Sequence, residues 1–127
     1  MKLLITLGLL VAISFSAAAQ QPGCRSIQTG KFKVTTEYGT TLVTRTRDTQ
    51  TEEDAQQGVV MIFDLKWINE CTYTLRPKKV IKGDPSLMNK DMVLTVVVKE
   101  VNKNYYIAET AFNLSPAIMT FKVDIVP

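Results

Sequence analysis

From residue 30 onward the chain alternates apolar and polar side chains with a period of two, and no long stretch carries helical spacing. Val59, Met61, Phe63, Leu65 and Trp67 share one face, while Asp64 and Lys66 lie on the other. The next run repeats the pattern, setting Cys71, Tyr73 and Leu75 against Thr72, Thr74 and Arg76. Such runs predict strands with one buried face and one wet face. A further apolar set, Met92, Leu94, Val96, Val98, Ala108 and Phe112, spans two more strands. Met119, Phe121, Val123 and Ile125 form the last strand, which is expected to close or edge the sheet.

Near the start, Phe32, Val34 and Tyr38 alternate with Lys31, Lys33 and Glu37; a turn is expected near Gly39 and a threonine-rich strand over residues 41–51. The acidic stretch from Glu52, with Glu53 and Asp54, to Gly58 reads as a solvated loop. Residues 77–89, which include Gly83, Asp84 and Pro85, are the longest break in the pattern, with room for a single helical turn at residues 86–88.

Directly paired residues in a hairpin point to the same face, so loop length can be tested against the pattern. A two-residue loop at Asn69 and Glu70 would pair Trp67 with Thr72 and mix the faces. A three-residue or bulged connection is therefore predicted, one version of which sets Trp67 opposite Cys71. A loop of Asn102, Lys103 and Asn104 pairs Val101 with Tyr105 and Val98 with Ala108. The fold class is all-β, an antiparallel meander of about seven strands. A small closed or nearly closed barrel is the preferred architecture, with a two-layer sandwich as the alternative.

The N-terminus departs from this pattern. Lys2 is followed by the apolar residues 3–15 and then Ser16, Ala17, Ala18 and Ala19, the order of a signal peptide. The apolar run is shorter than the roughly 20 residues that cross a bilayer, which disfavours a transmembrane anchor. Cleavage before Gln20 would leave residues 20–127 as a single β-domain, exported to the periplasm or the extracellular space. The rival is a lipoprotein anchored to the outer membrane through Cys24, but Gln21 stands where such a signal wants an aliphatic residue. A membrane partner is expected only in that case. Export also places Cys24 and Cys71 where disulfides persist, and they are predicted to be bonded.

Charge and residue content narrow the chemistry. Without Lys2 the chain has a net charge of +2 in place of +3, giving no reason to expect nucleic acid. The cluster Arg76, Lys78, Lys79 and Lys82 is explained as well by an exposed loop as by an anionic partner. No histidine is present, which removes the commonest general base, the commonest metal ligand and every nucleophile–histidine pair. Neither catalytic residues, nor a metal, nor a cofactor is expected.

Arg45 and Arg47 share a face with Val43, so both point inward if Val43 does. An inward arginine needs an acidic partner or an anionic ligand. The preferred orientation is the opposite one, with Leu42 and the neighbouring threonines facing the core and both arginines facing water. Trp67 and Tyr73 serve either as core filler or as pocket lining. Arg45, Arg47, Trp67 and Tyr73 are thus the candidate ligand-binding residues.

Cys24, Thr29-Gly30-Lys31-Phe32, Thr44-Arg45-Thr46 with Gln50 and Glu52, and above all the stretch from Trp67 through Cys71 and Tyr73 to Leu75 carry a family resemblance. On them the chain resembles a group of small exported β-proteins of Bacteroidetes-type bacteria, some labelled topoisomerase IV. The resemblance implies an envelope location and no activity; the topoisomerase label does not suit a short exported chain without a nucleotide-binding loop. Gly30 and Phe32 also resemble the glycine and aromatic that open the first strand of lipocalin-like barrels, which implies a barrel with an internal pocket. The function expected is non-enzymatic binding of a small apolar or amphipathic ligand inside the barrel. The alternative is an envelope interaction module that binds a protein or cell-wall component through its surface, with no pocket.

Overall fold

The computed structural model describes residues 23–127. The expected signal peptide and its cleavage site lie outside the described residues. Eight antiparallel strands close into an up-and-down barrel: β1 (Gly30–Thr36), β2 (Gly39–Arg45), β3 (Thr49–Asp54), β4 (Val59–Asn69), β5 (Thr72–Lys82), β6 (Leu94–Val101), β7 (Tyr105–Phe112) and β8 (Ser115–Val126). Each strand pairs with its sequence neighbours, and β8 returns to β1 through Lys31–Val126, Phe32–Ile125 and Lys33–Asp124. The barrel is therefore the architecture, and the last strand closes it.

The eighth strand comes from the threonine-rich segment, which is two strands rather than one. β2 ends at Arg45, and β3 runs back through Glu52 and Asp54, so these acidic residues belong to a strand and not to a solvated loop. No glycine or proline marks the turn at residues 46–48. It is held by its own threonines: the Thr46 and Thr49 hydroxyls lie 2.7 Å apart, and the Thr46 backbone N–H donates to the Thr49 carbonyl at 2.9 Å. By contrast the β1–β2 turn is marked by Gly39, whose φ of 131° favours glycine and whose missing Cβ leaves room for the Gln56 side chain.

Bulges set several of the registers. Trp67 pairs with Tyr73 rather than with Cys71, and Ile68 bulges so that Asn69 meets Thr72. In the β6–β7 hairpin Val98 does face Ala108, but Lys99 bulges and Val101 pairs with Tyr106 instead of Tyr105. That extra residue switches the inward phase, so Val96, Val98 and Val101 are all buried. β5 continues past Leu75 through the predicted loop to Lys82, with bulges at Lys78 and Ile81. Pro77 is tolerated there because β5 pairs with β6 only over Thr72 to Leu75, leaving that edge free. Arg76, Lys78, Lys79 and Lys82 are exposed on this strand, and a single 3₁₀ turn (Pro85–Leu87), capped by the Asp84 carboxylate, occupies the following loop.

One end of the barrel is plugged and the other is open. A 3₁₀ turn (Cys24–Ile27) crosses the end that carries the β2–β3, β4–β5 and β6–β7 turns; Ile27 has no exposed surface. A disulfide between Cys24 and Cys71 staples this plug to the β4–β5 turn. At the opposite end Asn113 ties the β7–β8 turn to the loop before β6, accepting from the Val93 N–H at 2.8 Å and donating to the Asp91 carbonyl at 2.7 Å.

Candidate functional site

The alternation of β2 places Val43 and Arg45 inside and Leu42 outside: Val43 is 4% exposed, Arg45 3% and Leu42 48%. The outward orientation preferred for Arg45 on sequence grounds is thus corrected. Inverting β2 would have moved Val43 out of a core shared with Phe32, its direct partner on β1. Arg47 does not share Arg45's position, because the strand ends before it; it is exposed in the β2–β3 turn and lines no part of the interior.

Arg45 lies at the plugged end as the hub of a polar cluster. Its Nε donates to Gln50 Oε1 at 2.9 Å and its Nη1 to the Ile27 carbonyl at 2.7 Å. Its Nη2 donates to the Tyr73 hydroxyl at 3.0 Å and to the Tyr106 hydroxyl at 2.8 Å. The guanidinium also sits 4.4 Å from the Phe32 ring centroid and 4.8 Å from that of Tyr73, distances at which ring quadrupoles favour a cation. Among the described residues it forms no salt bridge. A buried charge is held here by neutral hydrogen-bonding groups and aromatic faces, gathered from the plug, β1, β3, β5 and β7.

Above this floor lies a cavity of about 250 Å³. Apolar side chains such as Val34, Leu75, Val96, Ala108, Phe121 and Val123 make most of its wall; Arg45, Gln50, Glu52, Tyr73, Tyr106 and Thr110 supply the polar atoms. A second hollow of about 250 Å³ adjoins it toward the open end and shares Thr41 and Glu52 with it. Asp54, Gln57, Val59, Met61, Phe63 and Leu87 of the second 3₁₀ turn complete that outer chamber. Glu52 stands at the waist between the two. Burial pushes its carboxyl above the ordinary range, opposed by the Gln50 side chain and the Arg45 charge. Burial likewise holds the Tyr73 phenol well above its usual value, with the neighbouring Tyr106 adding to the rise and Arg45 countering it. The phenol keeps its proton.

Of the four candidate ligand-binding residues, Arg45 and Tyr73 meet at the cavity floor. Trp67 lies behind Tyr73, with ring centroids 4.6 Å apart, and does not line the cavity. Its indole N–H is buried without an acceptor among the described residues. Gln50, Glu52 and Tyr106 are the site residues that sequence reasoning missed. Parity within β3 is the signal that could have found the first two, since Gln50 and Glu52 oppose the inward Arg45 and Val43. Among the described residues no group of three or more His, Cys, Asp or Glu side chains is placed to hold a metal ion. No protein-family model, curated protein or solved structure matches the chain.

Proposed function

We propose that this protein is a non-enzymatic, exported barrel that takes a small apolar or amphipathic ligand into its interior through the open end. The observation that carries the reading is the unfilled cavity of about 250 Å³, walled largely by apolar side chains, inside a closed barrel. A dry cavity of ~150 Å³ accepts benzene, so this one has room for a ligand of roughly ten non-hydrogen atoms. The cavity favours this reading over a surface module with a solid core. Release after export is favoured over a lipid anchor because the Cys24 sulfur that would carry the lipid is bonded to Cys71.

A titration with 1-octanol, followed by two-dimensional amide NMR, tests the reading. Saturable shifts are expected at Val96, Ala108 and Val123, with little change on the outer face of β8. Ala108→Phe, which projects a ring into the cavity, should abolish them. Shifts that never saturate, or that survive Ala108→Phe unchanged, would sink the proposal.

A further inference from the structure

The polar end of the ligand can be read from the hydrogen bonds left unmade at the cavity floor, an inference that rests on the binding role proposed above. Arg45 has five N–H donors, and four of them are engaged, by Gln50, Ile27, Tyr73 and Tyr106. One Nη1–H remains. Each tyrosine oxygen accepts from Arg45 and must still place its own proton. The two oxygens lie 3.4 Å apart, so one hydroxyl can donate to the other. The second then has no acceptor among the described residues. Two donors around an arginine without a salt bridge thus lack acceptors, and Arg45, Tyr73 and Tyr106 all line the cavity.

We propose that the cavity binds a small amphiphile with a carboxylate head, the head accepting hydrogen bonds from the Arg45 and tyrosine donors at the floor and the apolar tail lying along the wall toward the open end. An acceptor with negative charge meets both deficits at once, the unplaced protons and the missing counter-charge. An amine head would add a cation to Arg45 and donors to a donor surplus. An alcohol would satisfy one donor and leave the charge unanswered. Glu52, one inward position closer to the mouth on β3, is the one other carboxyl on this cavity's wall. Because burial favours its protonated form, it tolerates a neighbouring anion better than an exposed glutamate would.

Calorimetric titrations of the wild-type protein with octanoate, 1-octanol and octylamine at pH 6 to 7 provide the test. Octanoate should bind about tenfold or more tightly than 1-octanol, the scale of one charge-assisted hydrogen bond over a neutral one. Octylamine should be the weakest. Arg45→Met keeps an unbranched side chain at the floor and removes the charge with its N–H donors, and it should shrink the octanoate preference over 1-octanol to within about threefold. A measurement needing no variant is the titration of ¹³C-carboxyl-labelled octanoate, whose carboxyl should ionise at lower pH when bound than when free. Binding of 1-octanol as tight as octanoate, or an unshifted bound carboxyl, would overturn the carboxylate assignment and leave the binding cavity standing. Failure of all three probes to bind would overturn both.

Discussion

Arg45 and Glu52 are two charged residues that share a cavity wall without forming a salt bridge among the described residues. Their environments act on them differently. Arg45 is compensated by four hydrogen bonds and aromatic faces, whereas Glu52 is chiefly desolvated, and its carboxyl is pushed upward. An acid with a raised folded-state pKa favours the folded protein most when protonated. Its contribution is complete below the unfolded value, near 4.5, and is lost as pH rises through the folded value. Glu52→Gln cannot ionise and escapes that loss. Its stability relative to wild type should therefore increase from pH 4 to pH 8 in chemical denaturation. A flat or falling difference would show that Glu52 is solvated after all. At this scale the sequence was least legible: Glu52, Glu53 and Asp54 have loop composition, and nothing local distinguishes the residue that a strand turns inward.

The elements depend on a few devices that fix ends and registers. The 3₁₀ turn Cys24–Ile27 is too short to hold itself in place, and it is held by the Cys24–Cys71 disulfide and by Arg45 Nη1 on the Ile27 carbonyl. Closing a loop across a sequence separation of 47 residues stabilises the fold by about 4 kcal/mol in the chain-entropy model. Cys24→Ser/Cys71→Ser should lose roughly that amount in guanidinium denaturation. A loss below about 1 kcal/mol would mean that the plug docks well enough without its staple. The strands themselves were legible where apolar residues alternate, as in β4 and β8. The β2–β3 hairpin was not, because a turn built from Thr46 and Thr49 hydroxyls carries no glycine or proline signal. The bulge at Lys99 was hidden for a related reason: an inserted residue changes phase without changing composition.

In the whole molecule one short seam is that between β5 and β6, which pair through four residues each before β5 runs on, paired only with β4, toward the open end. Hydrogen exchange should report it. Amides at residues 78–82 that face away from β4 should exchange at least about a hundredfold faster than those of Tyr73 and Leu75. Equal protection along β5 would show that the seam is closed. The sequence by itself determined the all-β class, the inward faces of the long strands and the pairing of the only two cysteines. Those properties are local: alternation follows from the two-residue repeat of a strand, and two cysteines allow one intramolecular partnership. Only the tertiary structure decided that the sheet closes on itself, that Arg45 faces inward and that a cavity remains above it. Arg45 meets Ile27 18 residues away and Tyr106 61 residues away, so its partners exist only once the barrel has formed. Whether side chains fill the interior likewise depends on how eight inward faces meet, which no single strand specifies.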